Sequence, residues 1–153
     1  MLDRPRILAL IPHQGAMCLL DRALRWTAGD IVCEARSHLD PTNPLRFGGR
    51  LDAVAGIEYG LQAAALHGAL CAGEVPQPAG FLAALRSVTL HVQRLDDPAV
   101  GVLTIVAESR GLGAAGAAYA FRLSGEGGVR ILEGNCLIAL SGAQSGNAGE
   151  RTR

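Results

Sequence analysis

One uninterrupted apolar helical segment constrains this chain more than any other feature. Residues 53–72 (AVAGIEYGLQAAALHGALCA) contain no proline, are dense in alanine and follow Asp52, a residue suited to cap a helix N-terminus. Apolar residues run nearly all the way round the segment, so the pattern predicts a helix buried on most sides rather than lying on a surface. Such a helix needs a layer to wrap it, and the rest of the chain has to supply one.

Strands are what the flanking sequence offers. Residues 17–26 (MCLLDRALRW) and 31–38 (IVCEARSH) read as a hairpin about the turn Ala28-Gly29-Asp30. Beyond the helix, 81–95 read as a long strand, with Val88, Leu90 and Val92 on one face and Ser87, Thr89, His91 and Gln93 on the other. Segments 101–109, 116–124 and 129–140 follow, separated by glycine-bearing turns at 111–113 and 125–128. Residues 1–15 are a lead-in punctuated by Pro12 and Gly15, and 39–51 are an irregular loop rich in proline and glycine.

Two strands, one helix and four strands joined by tight turns predict an α+β domain. Its long central helix is wrapped by an antiparallel sheet of about five to six strands. The domain is expected to span 1–141, and the polar, glycine-rich residues 142–153 to form a flexible tail. A sheet wrapped around one helix leaves a face or an edge to cover, which favours a homodimer or a dimer of dimers.

Composition removes several classes of function. At 153 residues, 49% apolar and 18% charged, the chain has a packed core to bury and is not disordered. A formal net charge of zero, with no basic block, argues against a nucleic-acid surface. Cys18, Cys33, Cys71 and Cys136 form no CxxC pair, and neither they nor the histidines cluster at ligand spacing. No metal and no other cofactor is therefore expected. The apolar run at 7–11 is too short for a secretory signal, and Glu58, Gln62 and His67 interrupt the long segment against a membrane span. The expectation is a soluble cytoplasmic protein with no membrane partner.

Glu58 is the only carboxylate inside the helix body after Asp52. A buried carboxylate must be paired, hydrogen-bonded or protonated, and burial without a cation would raise its pKa toward general-acid use. The competing reading is a structural carboxylate satisfied by an arginine or by backbone amides. Gln62, one turn on, either orients Glu58, binds a polar ligand atom or caps a neighbouring backbone group. Gly56 and Gly60, continued by Ala64 and Gly68, form a stripe of small residues, each glycine costing the helix about 0.5–1 kcal/mol relative to alanine. They either let the helix pack closely on the sheet or also leave room for a ligand's chain.

Four histidines compete as partners for Glu58. His67 is nine residues on, about half a revolution round the helix, and is not expected to share a site with Glu58 in one subunit. His91 falls on the polar strand face. His13, in the loop IPHQG, and His38, before the irregular loop, are the candidate bases. Arg46 and Arg50 flank Phe47-Gly48-Gly49 without the spacing of a phosphate loop, so solvated arginines are expected there. No Gly-x-Ser-x-Gly elbow supports a serine hydrolase.

Two segments carry a family resemblance. Residues 11–22 (IPHQGAMCLLDR) resemble the opening "L-P-H-R-x-P-hydrophobic-L-L-V-D-R" of 3-hydroxyacyl-acyl-carrier-protein dehydratases, and 56–63 (GIEYGLQA) resemble their core-helix segment "L-E-A-M-A-Q-A". The chain is similar to a divergent branch of that group, the dehydratase-like proteins of aryl polyene biosynthesis. The resemblance covers roughly 8–140 in architecture and implies a hotdog fold. It further implies dehydration of a 3-hydroxyacyl thioester, carried by acyl carrier protein or coenzyme A, with Glu58 and Gln62 on the family's Glu and Gln positions. In the family a loop histidine, usually acting across a dimer interface, draws the α-proton while the Glu assists departure of the 3-hydroxyl. The family's "G-H-F-P-G" loop corresponds here to 43–49 (NPLRFGG), which contains no histidine. Either His13 or His38 supplies the base from elsewhere, or the protein is a hotdog thioesterase or a non-catalytic acyl-binding subunit.

Overall fold

The computed structural model describes residues 1–139. The expected domain end at 141, the end of the last strand at 140 and the tail over 142–153 lie outside the described residues. The apolar segment forms helix α2, Gly56–Cys71, entered through a 3-10 turn at Ala53–Ala55. Asp52 makes no side-chain cap bond; its carboxylate instead meets Arg50 Nε at 2.5 Å. An ion pair has taken the capping oxygen, so the preceding loop rather than the cap fixes where the helix starts.

Among the described residues seven strands wrap the helix, against the five to six expected: β1 Leu2–Asp3, β2 Arg22–Trp26, β3 Asp30–Ala35, β4 Phe81–Leu90, β5 Leu103–Gly113, β6 Gly116–Ser124 and β7 Arg130–Ala139. They form one antiparallel sheet in the order β1-β2-β3-β5-β6-β7-β4. The additional strand is β1, and a short helix, α1 at Arg4–Leu10, follows it inside the stretch read as a lead-in. A two-residue strand has no periodicity to read. The helix did carry a signal, because Asp3 caps it and Pro5 sits in its first turn.

The core lies where the sheet curves over α2. Ile31, Cys33 and Ala35 of β3, Leu103, Ile105 and Ala107 of β5, and Phe121 and Leu123 of β6 are buried at alternate positions. Gly56 and Gly60 let the helix approach: a β-carbon at Gly56 would sit 2.4 Å from Leu132 Cδ2, and one at Gly60 would sit 2.6 Å from Phe121 Cδ2. These two glycines therefore serve helix-to-sheet packing.

Among the described residues strand β4 lies at the sheet's edge, paired only to β7. It departs from the alternation expected over 81–95. Ser87 takes a positive φ of 54° where the register shifts between Arg86 and Thr89, and the strand stops at Leu90. Phe81, Leu82, Leu85 and Leu90 are exposed along it. The other end of the domain is tied by Asp96, whose carboxylate takes hydrogen bonds from Arg94 and Arg46; the Arg94 bonds hold it far below the usual carboxylate range. Among the described residues no helix is long and apolar enough to cross a membrane.

Candidate active site

Loop 11–21 links α1 to β2 and is pinned along its length. Ile7, Leu10 and Ile11 are buried before it, and Cys18, Leu19 and Leu20 are buried after it. Between them Gln14 Nε2 donates back to the carbonyl of Leu8 at 3.0 Å, and Arg4 donates to the carbonyl of Gly15 at 3.0 Å. Gly15 itself sits at φ 58°, a left-handed conformation that favours glycine. This scaffold holds His13 over the first turns of α2.

His13 Nε2 is 3.0 Å from Glu58 Oε1. The two side chains are 27% and 29% exposed, so Glu58 is half-buried, and of the states open to it the paired one is found, with a histidine rather than an arginine. Gln62 is fully buried and joins this pair to the loop. Its Oε1 accepts from the amide of Leu19 at 2.9 Å, and its Nε2 donates to the carbonyl of Met17 at 2.7 Å and to Glu58 Oε1 at 3.3 Å. Capping backbone groups and orienting Glu58 are thus done by the same amide. With Nε2–H given to the carboxylate, His13 Nδ1 is buried and has no hydrogen-bond partner among the described residues.

His38 is not brought to Glu58. It is fully buried, and its Nε2 donates to the carbonyl of Gly101 at 2.7 Å. Desolvation pushes its pKa down, so the ring is held neutral. His91 lies beside Glu133 at 3.2 Å. Arg46 is spent on Asp96 and the carbonyl of Asp40, and Arg50 on Asp52. Asn43, in the loop where the family histidine was expected, is buried against Tyr59 and Ser37 and closes that loop structurally.

An apolar cavity of about 670 Å³ opens from the His13–Glu58 pair along α2. That volume falls within the range of small-molecule sites, about 300–1,000 Å³. Five of its lining residues, Glu58, Leu61, Ala65, Gly68 and Ala72, recur at helical spacing and so form one stripe. Gly56 and Gly60 are not in the lining, so the small-residue stripe divides between two jobs: its first half packs on the sheet, while Ala64 and Gly68 face the cavity.

His67 corrects an expectation. Although it points away from Glu58 round the helix, both residues line this cavity, about 13 Å apart along the helix axis. The cavity curls round α2, which a helical wheel alone cannot show. His67 Nε2 donates to the carbonyl of Thr27 at 2.9 Å, so its Nδ1 accepts from the Tyr119 hydroxyl at 2.7 Å. Burial pushes the Tyr119 phenol up to about 12, which keeps its proton on. Tyr119 was not singled out from the sequence, since one aromatic residue in an alternating strand carries no special signal. Among the described residues no group of three or more His, Cys, Asp or Glu side chains is placed to hold a metal ion.

A long apolar helix wrapped by an antiparallel sheet defines a hotdog domain, and a carboxylate and a histidine meet at the head of its apolar cavity. Residues 5–136 match the family model of the ApeP-like ApeP dehydratases, and the chain belongs to that family. No curated protein matches its sequence. Among solved structures, the dehydratase heterocomplex ApeI:P from Xenorhabdus doucetiae is similar at a TM-score of 0.76 and 18% identity, covering 92% of this chain and 91% of that one. A mutant thioesterase from Pseudomonas aeruginosa is similar at a TM-score of 0.56 and 18% identity, covering 78% and 79%. A hypothetical thioesterase from Streptococcus pneumoniae, solved with coenzyme A, gives 0.57 and 17%, covering 81% and 88%. At these identities the structural likeness speaks for the hotdog fold.

Proposed function

We propose that this chain dehydrates 3-hydroxyacyl thioesters, carried by acyl carrier protein or coenzyme A, to 2-enoyl thioesters in fatty-acid-like or polyene biosynthesis. The observation that carries this reading is the 3.0 Å contact between His13 and Glu58 at the head of an apolar cavity. Nε2 of His13 takes the α-proton, and the proton shared across the His13–Glu58 contact stays on Glu58. Glu58 hands that proton to the departing 3-hydroxyl, so the carbon–oxygen bond breaks and water leaves. A histidine next to a carboxylate is suited to such acid–base work, which is typically worth about 10²–10⁴-fold in rate. Membership in a dehydratase family supports the reaction type. The exposed apolar edge at β4 supports self-association as a homodimer or dimer of dimers. The heterocomplex named among its structural neighbours makes a second, different subunit the alternative partner.

The test is interconversion of a 3-hydroxyacyl thioester and its 2-enoyl product by wild type, Glu58→Gln, His13→Ala and His38→Ala. Activity lost in the first two variants and kept in a folded His38→Ala supports the reading. A fully active Glu58→Gln refutes it. Release of free thiol from acyl thioesters would assign a thioesterase, and saturable acyl-carrier binding with no chemistry would assign a binding subunit.

A further inference from the structure

The third glycine of α2 has no packing reason to be there. Gly56 and Gly60 are demanded by the sheet, because a β-carbon at either would strike Leu132 or Phe121. Among the described residues a β-carbon at Gly68 would meet nothing within 4 Å beyond its own helix. Alanine there would favour the helix by about 0.5–1 kcal/mol, so the empty space itself has a use. That space is the cavity: Gly68 lines it, about 15 Å along the helix axis from Glu58. The cavity stripe also loses bulk in that direction, from Leu61 to Ala65 to Gly68. The lining continues past Gly68 to Cys71 and Ala72, so the space at Gly68 lies on the way along the cavity.

We propose that Gly68 is the length-determining residue of this site: its missing side chain lets a long acyl chain run from the His13–Glu58 pair past Leu61 and Ala65 to the last turn of α2. The inference rests on the acyl-thioester reading above but not on dehydration, since it concerns where the chain lies. Short chains end beside Leu61 and Ala65 and never reach Gly68. A side chain added at Gly68 therefore excludes long chains and leaves short ones alone.

The experiment uses two readouts on wild type, Gly68→Ala and Gly68→Leu. One is kcat/KM for 3-hydroxyacyl thioesters from butyryl to dodecanoyl. The other is calorimetric binding of unreactive acyl thioethers of the same lengths. Gly68→Leu should lose the longest chains by about tenfold or more, the scale on which a hydrophobic site discriminates by size, while butyryl values stay at the wild-type level. Gly68→Ala should fall between the two and keeps the test sound if the leucine variant folds poorly. An equal loss at all lengths, or an unchanged length profile in both variants, overturns the proposal. If no variant turns over any substrate but the thioethers show the same length cut-off, the length assignment stands and the dehydratase reading falls.

Discussion

His13 Nε2 and Glu58 Oε1 stand 3.0 Å apart, one on a loop and the other on the core helix. Gln62 holds both sides of this contact, since it bonds Glu58 and also the backbone of Met17 and Leu19 on the His13 loop. The pair is therefore built by tertiary structure within a single chain, without a residue from the 43–49 loop.

Gln62→Met should damage stability and turnover together. The change keeps the side chain's length but leaves the Leu19 amide and the Met17 carbonyl without their partner, at about 1–3 kcal/mol per stranded group. Urea unfolding should show the lower midpoint, and the same variant should lose kcat because the His13 loop is no longer tied to Glu58. A variant with an unshifted midpoint would show that the amide is dispensable.

His38 should appear in the pH dependence of stability. Burial lowers its pKa in the folded state, so the unfolded chain binds the proton more readily. Between the unfolded value of about 6.5 and the lower folded value, stability therefore falls as pH falls. His38→Gln should flatten that part of the profile. Urea midpoints at about pH 5 and about pH 7.5 measure it, and equal slopes in both proteins would refute it.

The helix glycines should respond with opposite signs to the same methyl group. Gly60→Ala forces its β-carbon into Phe121 and should cost on the order of 1–3 kcal/mol. Gly68→Ala meets open space and should stabilise by about 0.5–1 kcal/mol. Thermal melting of the two variants settles the comparison, and two shifts of the same sign would contradict it.

A charge on the exposed edge should oppose self-association. Leu85→Glu and Phe81→Glu place carboxylates on the apolar strand β4, which pairs with β7 on one side only. Sedimentation velocity should show wild type as an oligomer and the double variant as a monomer. An unchanged oligomer would place the interface elsewhere.

Much of this protein is legible in its residue pattern. Alanine density and an all-round apolar surface predict a wrapped helix, and period-two alternation locates β3, β5, β6 and β7 to within a few residues. The segments IPHQG and GIEYGLQA point to the right family before any coordinates are seen. Local signals fail where the structure departs from a regular period. The bulge at Ser87 breaks the alternation of β4, and the two-residue β1 has too few residues to show one.

What the sequence by itself determined is the core: one apolar helix, the strands that must cover it, and Glu58 as the carboxylate inside it. Only the tertiary structure decided between His13 and His38 as the neighbour of Glu58, because the choice depends on how loop 11–21 is tied down by Gln62 and not on spacing along the chain. It also divided the small residues of α2 between sheet packing and cavity. A glycine is the same letter at 60 and at 68, and what it makes room for is set by the neighbours that folding brings to it.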